Sequence, residues 1–228
     1  MQENFDTREA AAAAAADIIQ DSITRRLAAV DEATIVLSGG SSPLGVFAEL
    51  KKLDLPWERL HVTLSDERWV ATDHEDSNER MLYDALLGHA GVRDATFLPL
   101  FDASSDIEIR STALSEQLRM LPFPFACALL GMGEDGHFAS LFPDAENLES
   151  GLDTENPELV IPVRTAASPH PRISLTLSAL SRSDTIVLLI FGEKKLEVLN
   201  AAIEAPERYP VGTLLRQKRA PVRVLWAP

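Results

Sequence analysis

Apolar residues fall at helical spacing after Thr7, where an alanine-rich run leads to Ile18, Ile19, Ile23 and Leu27. The pattern predicts a capped amphipathic helix that ends near Val30. It gives way to ATIVL, a short β-branched run, then a Gly/Ser turn, then Pro43 and renewed helical spacing, which reads as strand, tight loop, helix. The unit recurs at RLHVTLSDERWV, whose polar end leads into a loop, with Ser77 as N-cap of the helix that follows. A third instance begins at PFACALLGMGEDGHFASLF and a fourth at TIVLLIFGEKKLEVLNAAIEA. Between them lie an amphipathic helix around Ser105 to Leu121, with Leu114, Leu118 and Leu121 on one face, and the strand-like runs ELVIPV and RISLTL. A last strand, VRVLW, follows. Such alternation predicts an α/β fold with a mostly parallel sheet and helices on both faces. With no solenoid-period repeat and no low-complexity linker, residues 1–228 are expected to form a single domain.

Composition narrows the function. A net charge of -14 repels phosphate backbones and anionic lipid, so neither nucleic acid nor a membrane surface is expected as a partner. The basic stretch RQKRAPVR, Arg216 to Arg223, reads as a solvated basic end. No apolar run approaches the length of about 18 residues needed to span a bilayer, and the start, MQENFDTREA, lacks a basic, apolar leader. Together with the single cysteine, Cys127, in an apolar run, this predicts a cytoplasmic protein.

In open parallel sheets ligands bind beyond the carboxyl ends of the strands. Here those ends carry Ser38 to Ser42, then Ser65 to Arg68, then Gly131 to His137, then Phe191 to Lys195, so four polar loops should converge on one edge. The backbone of Gly39, Gly40 and Ser41 suits an anion such as a sugar phosphate, although a plain chain-reversing turn is the alternative. Gly131-x-Gly133-x-x-Gly136 matches a dinucleotide fingerprint only in its glycines: Pro143 interrupts early and no second strand with a terminal acid follows. No cofactor is expected. What the loop does offer is His137, able to take and return a proton near neutrality, with Asp135 beside it. His61, His74, His89 and His170 lack the paired spacing of a metal site, and no metal is expected. Arg68, Arg172 and Lys195 are candidate phosphate ligands.

The segments LSGGSSPLGVFAEL, SDERWV with SNERMLYDALL, LLGMGEDGHFASLFP, PRISLTLSAL and FGEKKLEVL together resemble the 6-phosphogluconolactonase family, from about Ile35 to Trp226. The resemblance implies a Rossmann-like sheet without a bound dinucleotide, and hydrolysis of 6-phosphogluconolactone. His137 would be general base, with Asp135 or Asp66 orienting the imidazole or the water. Arg68, Arg172, Lys195 and the Gly39-Gly40-Ser41 backbone would hold the phosphate. The Gly-x-x-Lys spacing selects Lys195 without excluding its neighbour Lys194. The related glucosamine-6-phosphate deaminases carry a glutamate five residues after the histidine, where this chain has Phe142. The rival readings are therefore a sugar-phosphate isomerase or deaminase and a non-catalytic sugar-phosphate-binding module. The expected partner is a phosphorylated sugar lactone, met by a monomer or a homodimer.

Overall fold

The computed structural model describes residues 2–228. Its strands are Gln2–Asn4 (β1), Ala33–Leu37 (β2), Leu60–Leu64 (β3), Asp66–Arg68 (β4), Thr96–Leu98 (β5), Cys127–Leu130 (β6), Val160–Val163 (β7), Arg172–Leu175 (β8), Ile186–Phe191 (β9) and Val222–Ala227 (β10). The helices are Arg8–Leu27 (α1), Leu44–Leu50 (α2), Asn78–Leu82 (α3), Ile107–Met120 (α4), Leu148–Leu152 (α5), Leu177–Leu180 (α6), Glu193–Glu204 (α7) and Pro210–Arg216 (α8).

Seven strands pair in the order β1-β10-β9-β6-β2-β3-β5, every pair parallel. Every residue of β2 and β6 is buried, as is all of β9 except its last. Strands buried on alternate sides at once must be covered on both faces, and this explains why they read as continuous apolar runs. One hydrophobic cluster, with Phe47, Phe125 and Phe138 fully buried in it, joins the helices to this sheet. Thr7 caps α1 through its hydroxyl, which accepts from the amide of Ala10, and Ser77 caps α3 in the same way through Arg80. No helix among the described residues is long and apolar enough to cross a membrane.

Three departures from the sequence pattern matter for the site. The polar tail of the second repeat is not simply a loop: Asp66–Arg68 is a strand that pairs antiparallel with β8, and β8 pairs with β7, forming a small second sheet. The third repeat lacks its immediate helix; residues 131–147 run as an extended, turn-rich segment before the short α5. The basic stretch is not simply solvated either, because Arg219 pairs with Glu155 and Arg223 with Glu3.

Candidate active site

At the carboxyl edge of the sheet a cleft of about 400 Å³ is lined by residues from all four predicted loops and from the second sheet. Gly39, Gly40, Ser41, Asp66, Arg68, His137, Arg172 and Lys195 all line it. Asp135 stands just behind, reaching the cleft through His137.

The histidine is held from three sides. Its Nδ1 lies 2.5 Å from Asp135 Oδ1, and its main-chain amide donates to the same oxygen at 3.2 Å. The Phe142 ring packs on the imidazole with centroids 4.1 Å apart. A Cβ on Gly133 would lie 2.3 Å from the imidazole, so the ring occupies space that only a glycine leaves open. Gly136, at φ +77°, makes the turn between acid and base, and its carbonyl accepts from Val211 of α8, which fixes the loop from outside. With Nδ1 committed to the carboxylate, Nε2 is the nitrogen available to a ligand. Burial alone would raise the Asp135 pKa, but the hydrogen bonds and charge of His137 outweigh it and hold the carboxyl below its ordinary value.

Asp66 sits elsewhere in this arrangement. Its carboxylate is buried and accepts from Ser65 Oγ at 2.9 Å and Ser140 Oγ at 2.5 Å, with Arg172 Nη1 3.8 Å away. Of the two carboxylates considered for the imidazole, Asp135 makes the contact, while Asp66 anchors the histidine loop to β4 through Ser140. Arg172 is steadied by Ser168 Oγ, 2.9 Å from its Nε, and lies over the Phe142 ring at 5.7 Å. Arg68 donates to the Asp76 carbonyl at 2.5 Å, and its Nε is buried without a partner among the described residues. Burial lowers the pKa of Lys195, with Glu134 opposing and Arg8 adding to the shift. Lys194 instead pairs with Glu134.

Sequence reasoning passed over Asn78 and Glu67. The Asn78 amide lies so close under Gly39 that a Cβ there would come within 2.0 Å of its Oδ1, and its Nδ2 donates to the Asp66 carbonyl at 2.9 Å. Asn78 lines the cleft as well. Glu67 is buried and accepts from the amides of Arg68, Asn78 and Glu79 and from Ser77 Oγ. Burial pushes its pKa up to about 7 against the pull of those amides. It ties β4 to the start of α3 and thereby sets Arg68 and Asn78 together. The only sequence signal for either residue was adjacency to Arg68 and Ser77.

Positive groups and a carboxylate-oriented imidazole lining one cleft can bind an anion and move a proton on a group attached to it. Residues 6–226 match the family model described as glucosamine-6-phosphate isomerases/6-phosphogluconolactonase. A 6-phosphogluconolactonase of Caulobacter vibrioides is 39% identical over 99% of this chain and 96% of its own, and one of Mesorhizobium japonicum 37% identical over 98% and 94%. The crystal structure of a 6-phosphogluconolactonase from Shewanella baltica superposes with a TM-score of 0.94 at 35% identity, covering 100% of this chain and 97% of that one. A monomeric glucosamine-6-phosphate deaminase shares the fold at a TM-score of 0.73 and 19% identity, over 98% of this chain and 96% of the other. The agreement extends over nearly the whole length of each chain, and this protein belongs to the glucosamine-6-phosphate isomerase/6-phosphogluconolactonase family.

Proposed function

We propose that this chain hydrolyses 6-phospho-D-glucono-1,5-lactone to 6-phosphogluconate, with His137 as general base. The observation that carries the reading is the Asp135-His137 pair at 2.5 Å beside a cleft that Arg68, Arg172 and Lys195 also line. A water molecule attacks the lactone carbonyl while His137 Nε2 takes its proton. The tetrahedral adduct then collapses, the bond from C1 to the ring oxygen breaks, and the imidazolium returns the proton to that oxygen as it becomes a hydroxyl. The new carboxylic acid ionises to solvent. Asp135 stabilises the transient imidazolium and fixes the ring, as the carboxylate of a catalytic triad does.

The cations and the Gly39-Gly40-Ser41 backbone grip the phosphate and use that remote binding to position the carbonyl. Asp66 supports the reaction as a positioning residue, through Arg172 and through Ser140 on the histidine loop. A lactone is an activated ester, so a well-placed water suffices as nucleophile. The cleft draws on residues between 38 and 195 built over one hydrophobic cluster, which supports reading the chain as one catalytic domain. We assign the reaction to the cytoplasm, in keeping with the lone buried Cys127 thiol.

Phe142 favours the lactonase over the deaminase branch: a ring packed against His137 stands where the deaminase pattern has a carboxylate. The test is an assay coupled to 6-phosphogluconate formation, with the spontaneous rate subtracted, using 6-phosphogluconolactone and unphosphorylated gluconolactone. The phosphorylated lactone should be strongly preferred. Failure to exceed the spontaneous rate would reduce the protein to a binding module, and ammonia release from glucosamine 6-phosphate would move it to the other branch.

A further inference from the structure

Outside the cleft, the fold brings together three side chains that sequence spacing kept apart. His170 Nε2 lies 3.1 Å from Asp76 Oδ2 across 94 positions of chain, and His74 Nδ1 lies 3.9 Å from the same oxygen. One donor atom from each residue falls within 4.8 Å of the other two. The two imidazoles meet edge to face at 5.2 Å, and all three residues are half-exposed, so an ion and its water could reach them. None of the three lines the cleft.

We propose that His74, Asp76 and His170 form a binding site for a divalent transition ion of the zinc class. Two imidazoles and a carboxylate are the donors such ions take, and three protein ligands leave a fourth position for water. Tetrahedral coordination at ordinary zinc bond lengths separates ligand atoms by about 3.3 Å. The Asp76-His170 pair already has that spacing, and the exposed His74 ring has to close by less than about 1 Å towards the carboxylate oxygen. His74 Nδ1 accepts from the Asp76 amide at 3.1 Å, so its lone pair faces Asp76, and that bond is exchanged for the metal. Any proton that His170 Nε2 carries towards Asp76 leaves to solvent or to Nδ1 as the ion enters.

The site has a mechanical position as well. The Asp76 carbonyl holds Arg68, and Ser168, two residues before His170, holds Arg172. An ion bound here ties together the two loops that steady those arginines. The proposal departs from the expectation of no metal, which rested on spacing along the chain, whereas these ligands come from segments that the second sheet brings side by side.

Chelator-treated protein titrated with zinc chloride in a calorimeter should show one saturable site of micromolar order, and a rise in Tm with added zinc. His170→Ala and His74→Ala should each weaken binding at least about tenfold, and His137→Ala should leave it unchanged. In the unaltered protein, zinc should shift the imidazole nitrogen signals of His74 and His170 and not those of His137, a readout that needs no variant to fold. Absence of saturable binding, or binding lost only with His137→Ala, would overturn the proposal.

Discussion

Basic side chains gather at both ends of the central sheet, and their partners differ. Near the amino ends of β9 and β10, Arg26 makes a two-pronged contact with Asp184 at 2.7 and 2.9 Å, Arg223 reaches Glu3 and Arg219 reaches Glu155. At the carboxyl end, Arg68 is held by a carbonyl and Arg172 by a hydroxyl, with the nearest carboxylate 3.8 Å from Arg172. Glu134, the acid whose charge acts on Lys195, is engaged by Lys194. One end pairs its arginines with carboxylates at hydrogen-bond distance; the other holds Arg68 and Arg172 by neutral oxygens, with the Asp66 carboxylate farther off, and leaves more of its charge for a ligand. In a protein of net charge -14 that local arrangement, more than the total, decides where an anion can settle.

The sharpest way to probe this contrast is to remove the chemistry and leave the cations. His137→Ala should lower kcat by at least about 10²-fold with KM little changed, measured in the coupled assay. Near-normal turnover would take the imidazole out of the mechanism. Next come the cations themselves: Arg172→Ala or Lys195→Ala should raise KM for the phosphorylated lactone by about tenfold, equivalent to about 1.4 kcal/mol, and kcat less. An unchanged KM would put that residue back among ordinary surface charges.

Acidity gives a gentler handle on the same end. Because burial lowers the Lys195 pKa, its charge is lost as pH rises through a value below the ordinary 10.5. Calorimetric affinity for 6-phosphogluconate should therefore fall in that alkaline range, and Lys195→Arg should remove the fall. Persistence of the same profile in Lys195→Arg would assign it to another group. The smallest effect belongs to the amino end: Arg219→Ala should leave KM unaltered and change stability by only about 0 to 1 kcal/mol, as read from urea midpoints. A raised KM there would dissolve the distinction between the two ends.

Much of this was legible beforehand. The apolar runs of β2, β3, β6 and β9 are long enough to announce themselves, and the polar residues after each converge as parallel pairing requires. Lost from view were β1, β4 and β5, three residues each, too short for any period to register. The partner that makes β4 a strand lies about a hundred residues on, so no local pattern could have marked it. Asn78 was hidden because its role is to fill the space above a glycine, and Glu67 because its partners are main-chain amides supplied by the fold. His74 and His170 were judged by their separation in the chain, which the second sheet abolishes.

Gly133 contributes no functional group, yet the imidazole stands where its side chain would be. The same holds for Gly39 and the amide of Asn78. Parts of this cleft are shaped by missing atoms, so a mutational scan that ranks positions by their reactive groups would pass over two of its most restrictive ones. Even alanine, the mildest replacement, would act there as an obstruction to a neighbour and mimic the loss of a residue that is still present.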